Sequence, residues 1–252
     1  MSRLRTMCAL LSCTMVFVMF SLTLHVIPAA PAPVSALQIA LTEAVNNNDI
    51  GEAQNVLDTM EHEHSSPNFT THFVINNMFY SPLKLAARKY NIHMMNLLLD
   101  NGADPNYRVR DVPLVWDLLN YFVFNKWNPM VDVGEFEVRI LLEKGADANG
   151  VPFLGVNGNG RRYETPLKMA IELGLINLVD SLINHGAQVN PEGEDLDVAL
   201  IAVRNDNPEM VDLLIRHGAK FQSFYHEIME DPKVSEAVKK ILFKWYQSIF
   251  LD

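Results

Sequence analysis

Apolar and polar positions along this chain repeat in one arrangement, most clearly in three stretches that align without a gap. Ser81–Gly102 reads SPLKLAARKYNIHMMNLLLDNG, Thr165–Gly186 reads TPLKMAIELGLINLVDSLINHG, and Asp197–Gly218 reads DVALIAVRNDNPEMVDLLIRHG; each is 22 residues long. Their small or apolar positions coincide: Leu83, Ala86, Ala87, Leu97 and Leu98; Leu167, Ala170, Ile171, Ser181 and Leu182; Ala199, Ala202, Val203, Leu213 and Leu214. Only Ser181 is polar. Steps of three and four residues predict two amphipathic helices per copy. The punctuation agrees, because Thr165 can cap a helix, Pro166 suits its first turn, and Gly186 supplies the left-handed residue that ends the second helix. A fourth copy begins at VPLVWDLL (Val112–Leu119) and ends in EVRILLEKGADANG (Glu137–Gly150), with an insertion between its helices. A recurring period of this kind means stacked units rather than one globular core.

These residues resemble the ankyrin repeat family. SPLKLA (Ser81–Ala86) and TPLKMA (Thr165–Ala170) match its T-P-L-H-x-A start, and GADPN, GADAN and GAQVN, beginning at Gly102, Gly145 and Gly186, match its G-A-D-x-N turn. GAKFQ at Gly218 is a degraded copy. The resemblance covers Leu37–Gln222 and implies an all-α solenoid of about five helix-turn-helix units with short turn or hairpin loops, followed by a carboxy-terminal capping segment over residues 223–252. It also implies a concave face, made by the first helix of each unit and the tips between units, on which a protein partner docks. Placed on that face are Leu85, Arg88 and Lys89; Trp116 and Asn120; Met169 and Glu172; and Ile201, Arg204 and Asn205. The tips add Tyr107, Arg108, Arg110, Arg161, Arg162 and Tyr163. Tyr, Trp and Arg are the types that most often dominate interface energy. Where Lys84 and Lys168 stand the family has a histidine that helps tie one repeat to the next, so apolar stacking is left to hold the joints.

Two insertions depart from the plain repeat. Tyr121–Phe136 (YFVFNKWNPMVDVGEF) is dense in aromatic residues, and Val151–Glu164 carries NGNG at its centre, a hairpin signal. Long loops on a rigid scaffold are frequent sites of binding, which makes Trp127 a further candidate contact. Phe122, Phe124 and Trp127 equally suit covering an apolar gap that the insertion creates.

At the ends the pattern loosens. Leu37–Leu57 reads as an amino-terminal cap unit, and Asp58–Tyr80 as a long solvated loop holding His62, His64 and His72. Imidazole is a common metal ligand, so a histidine-loop metal site or metal-dependent enzyme is the alternative reading, although the spacing matches no fixed ligand set. Asn68-Phe69-Thr70 is a glycosylation sequon, meaningful in a eukaryotic secretory setting. Near the other end Asp231-Pro232 signals a helix start, with Val234, Val238, Ile241, Leu242 and Trp245 on one face. That helix suits a cap; Lys239, Lys240 and Lys244 beside the apolar face also suit a membrane-surface or partner helix.

Arg3 and Arg5 precede an uncharged apolar run, Met7–Ile27, and then PAAPAPVSA. This predicts a secretory signal over residues 1–36 cut after Ala36, with an uncleaved anchor as the alternative. Both place the repeats outside the cytosol, in a periplasm or a secreted setting. Both cysteines, Cys8 and Cys13, lie within that segment, so the remainder has neither a thiol nucleophile nor cysteine-held zinc. Acidic residues outnumber basic ones 30 to 20 in the whole chain. That balance disfavours nucleic acid and anionic membrane as partners, since both are gripped by Lys and Arg. No hydrolase elbow, phosphate loop, zinc-protease helix or dinucleotide fingerprint occurs. The sequence therefore predicts a non-enzymatic module, without cofactor, that binds another extracytoplasmic protein as inhibitor or helper.

Overall fold

Each helical hairpin is fixed by the residues at its ends. In the computed structural model, which describes residues 35–73, 78–124, 134–151, 165–190 and 198–250, Ser81 accepts a hydrogen bond from the Lys84 N–H at 3.1 Å and Thr165 one from the Lys168 N–H at 3.3 Å. Pro82 and Pro166 follow them at the first helical position, where a missing N–H costs nothing. Asn91 and Asn207 cap second helices in the same way, through the N–H groups of Met94 and Met210. Those second helices end at Gly102, Gly145, Gly186 and Gly218, all at φ between +79° and +91°. The alanine after each glycine returns its N–H to a helix carbonyl at 2.9 Å, closing the helix with otherwise orphaned groups paired.

In chain order the hairpins are α1 (Ala36–Asn47) with α2 (Ile50–His62), α3 (Pro82–Arg88) with α4 (Ile92–Asp100), α5 (Leu114–Phe124) with α6 (Gly134–Glu143), α7 (Pro166–Leu173) with α8 (Ile176–Asn184), and α9 (Val198–Arg204) with α10 (Pro208–Arg216). Then come α11 (Tyr225–Glu230) and α12 (Glu236–Phe250). First helices pack on first helices, in the row α1, α3, α5, α7, α9; in the second row α2 meets α4, and α6, α8, α10 and α12 follow one another. A single core cluster runs through the stack within the unit Ala36–Asp252. Met94, Met95 and Leu98, then Leu178, Val179 and Leu182, then Met210, Val211 and Leu214 are almost wholly buried. Each such side chain contributes about 1.5–3 kcal/mol by leaving water.

Three expectations change. The segment Asp58–Tyr80 is not loop throughout. α2 continues to His62 because Met60 falls on the buried face of Val56 and Leu57, and β1 (Thr71–Phe73) pairs antiparallel with β2 (Met78–Tyr80), Thr71 opposite Tyr80. The carboxy-terminal segment is two helices rather than one. Pro232 and Lys233 form a turn and Ser235 caps α12, accepting from the Val238 N–H at 3.4 Å, so α12 starts later than Asp231. Its expected face is nonetheless the one turned inward: Val234, Val238, Leu242 and Trp245 are buried and Ile241 half-buried against the last repeat, with the Tyr225 and Tyr246 rings stacked 4.2 Å apart.

The third change concerns what ties the repeats. Apolar stacking is joined by a ladder of asparagine amides along the turns. Asn68 donates to the Gly102 carbonyl at 3.1 Å and accepts from the Asp104 N–H at 2.7 Å; Asn106 does the same to Gly145 and Asp147, Asn149 to Gly186 and Gln188, and Asn190 to Gly218 and Lys220. One amide therefore satisfies an acceptor and a donor left over where each turn breaks from helix. The first rung uses Asn68, the residue of the sequon.

Candidate partner-binding surface

The tips between repeats are bonded to one another by residues that the sequence marks as contacts. Tyr107 shares a hydrogen bond with the Thr70 hydroxyl at 3.2 Å. Arg110 lies with its guanidinium 4.8 Å from the centre of the Phe79 ring, on the strand before α3. Arg108 donates from Nη1 to the carbonyl of Asp111 in its own tip and to that of Val151 in the next, at 3.2 and 3.0 Å. Three successive tips are thus laced into one edge, and these arginines act first as ties. Arg110 and Asp111 both adopt positive φ, +54° and +63°, so the tip is held in a conformation that ordinary side chains rarely take.

The concave row behaves differently from expectation. Trp116 is 8% exposed, and Leu85, Met169 and Ile201 at the matching place in other repeats are 5%, 1% and 7% exposed. All four belong to the central cluster, so their apolar area is already out of water and offers no open anchor. What stays accessible lies at the ends of the first helices. Lys89, Glu172, Arg204 and Asn205 are exposed and Asn120 is half-buried. Arg204 stands at the rim of a cavity of about 190 Å³ between α9 and α11, with Glu227 and Lys233 across it. Trp127, Arg161, Arg162 and Tyr163 lie outside the described residues. Phe122 is buried with its ring against Gly134, filling the space between α5 and α6 as the gap-covering reading requires.

Arg88 is committed to the joint between the second and third repeats. It donates from Nη2 to Asp117 Oδ2 at 2.8 Å, and its guanidinium sits 4.2 Å from the centre of the Tyr121 ring. Lys84 reaches the other oxygen of Asp117 at 3.3 Å, so one carboxylate holds two cations from the preceding repeat. Burial pushes the Lys84 ammonium below its ordinary pKa, with Asp117 opposing that shift and Arg88 adding to it. The residue expected to weaken the joint, the lysine in place of histidine, instead binds across it. Sequence reasoning missed Asp117 as its partner, because nothing local ties positions in different repeats.

It also missed Glu137. The residue eight before each turn glycine is Met94, Leu178 or Met210 in the other repeats, all deeply buried; in the third repeat it is Glu137, with no exposed area. Neither carboxyl oxygen has a hydrogen-bond partner in another residue. Burial holds its pKa above the usual carboxylate range, against the lowering effect of its own backbone N–H. Counting back from Gly145 would have found it.

Among the described residues no group of three or more His, Cys, Asp or Glu side chains is placed to hold a metal ion. His62 and His64 are exposed, at and just beyond the end of α2. No helix among the described residues is long and apolar enough to cross a membrane. Hairpins in two rows, glycine-closed turns and bonded tips define a helical-repeat scaffold of the kind that presents a surface to other proteins. A model of three consecutive ankyrin repeats matches residues 132–225, and a single ankyrin repeat matches residues 79–110. The chain belongs to the ankyrin repeat family. No curated protein matches it.

Proposed function

We propose that this protein is an exported, non-enzymatic binding module that engages another extracytoplasmic protein, as an inhibitor that shields the cell from a toxic enzyme or as a helper for a resident one. The observation that carries the reading is the laced tip edge. Tyr107, Arg108 and Arg110 hold three tips in one arrangement before any partner arrives, which removes part of the ordering cost of association. Arg161, Arg162 and Tyr163 belong to the next insertion of the sequence and supply the side-chain types that dominate interfaces. The basic tips of an otherwise acidic chain suit an acidic partner surface. Export rests on Arg3, Arg5, the apolar run Met7–Ile27 and the Val34-Ser35-Ala36 end.

The test has two parts. Residues 1–36 fused to a reporter should carry it out of the cytosol. The protein, cross-linked in its own compartment, should capture a partner that the combined Arg161→Ala, Arg162→Ala, Tyr163→Ala variant loses at least tenfold. Undiminished capture by that variant with its helical content intact would remove the tip edge from the proposal. Stoichiometric zinc uptake abolished by changing His62 and His64 would overturn the non-metal reading in favour of the histidine segment.

A further inference from the structure

Glu137 stands in the core register of α6, at the place filled by Met94, Leu178 and Met210 elsewhere, and neither of its oxygens is hydrogen-bonded to another residue. Burial disfavours the ionised form there, so the docked helix binds the carboxyl's proton more tightly than the open one does. Most of the groups that could compensate a charge are engaged elsewhere, although the Arg88 Nε–H is itself buried without a partner. On α3, Lys84 and Arg88 both pair with Asp117 of α5; on α8, Asp180 meets His217 and Asn184; on α4, Asp100 meets Lys144. Tyr121 of α5 stacks under Arg88. On α6 itself Arg139 and Glu143 rim an outer groove with Asp180, and Glu135 lies in the first turn beside Glu137. Tyr90, in the turn after α3, senses Glu137: its phenol is pushed up by burial first, then by Tyr121 and by Glu137, with Arg88 opposing.

Two further features converge at this joint. Tyr90 adopts φ +56° at the position that the fourth repeat gives to Gly174, an unfavourable conformation for a bulky side chain. In the second row α6 packs on α8 but scarcely on α4, so the row is weakest between the second and third repeats. We propose that Glu137 makes α6 a proton-held element, docked against α5 and α8 while the carboxyl is protonated and released locally when it ionises. The joint between repeats two and three then loosens as pH rises, while the neighbouring repeats stay folded. In a protein placed outside the cytosol, such a joint would let the acidity of the surroundings set how rigidly the stack presents its third repeat. The proton linkage does not depend on that location.

The test is amide hydrogen exchange on the full chain across pH 5 to 8, converted to local opening constants after correction for intrinsic exchange. One proton released on opening makes the constant rise by up to tenfold per pH unit above the carboxyl's ordinary pKa, levelling once the docked group itself ionises. The α6 amides should show that rise, and those of α10, which carries Met210 at the same register, should not. Glu137→Met should flatten the α6 profile and lower its opening constant at pH 7; Glu137→Gln, which keeps the shape, should flatten it even if α6 opens more often. A flat wild-type profile, or an equal slope in either variant, overturns the proposal.

Discussion

Replacing Asn149 by alanine isolates one rung of the ladder between repeats. The side chain donates to the Gly186 carbonyl at 2.8 Å and accepts from the Gln188 N–H at 2.9 Å, and alanine removes both bonds without opening the core. A net contribution of about 0.5–1.5 kcal/mol per bond, taken toward the lower end because water reaches the exposed rung, puts the loss at about 1–2 kcal/mol. In a stack whose stability is a sum of units and the contacts between them, that loss falls on one joint. For a chain of this size it corresponds to a fall in Tm of about 3–6 °C. Urea unfolding followed by circular dichroism should show a lower midpoint with an unchanged slope. Asn184→Ala is the control, since that amide reaches only Asp180 in its own helix at 3.2 Å and should cost less than about 0.5 kcal/mol. If Asn149→Ala and Asn184→Ala prove equally mild, the ladder does not hold the repeats together and apolar stacking alone does so.

Two other substitutions probe the joint at the third repeat. Gly134→Ala drives a Cβ into the Phe122 ring, so the ring must swing out or α6 must shift; a loss of about 1–3 kcal/mol is expected, partly restored when Phe122→Leu is added, as read from denaturant midpoints. Asp117→Asn keeps the shape but strands the buried Lys84 ammonium, at a cost of about 3–5 kcal/mol at pH 7. Because the folded Lys84 already binds its proton less tightly than the unfolded chain does, stability rises with pH in the interval below the ordinary value of 10.5. The variant should show a larger rise that begins at lower pH, and equal profiles for the two proteins would refute the role given to Asp117.

Local features of the sequence determined most of the architecture. Ser81, Thr165, the prolines after them and the turn glycines act within a few residues, so spacing alone located the hairpins and their register, and the buried face of α12 followed from helical period. Asp231-Pro232 misled about where that helix starts, because a turn and a cap at Ser235 can follow the same signal. What only the tertiary structure decided was which residues meet across repeats. Asn68, Asn106, Asn149 and Asn190 looked like turn residues, and their second role depends on the next turn lying within hydrogen-bond reach. Lys84 looked like a loss until Asp117 arrived from the following repeat. Trp116 looked like an exposed anchor until the core closed around it, since the same apolar type serves a surface or an interior and only packing chooses between them. Glu137 lies between the two cases: the register that makes it anomalous is written in the chain, but that no partner comes to its carboxyl is a property of the folded stack.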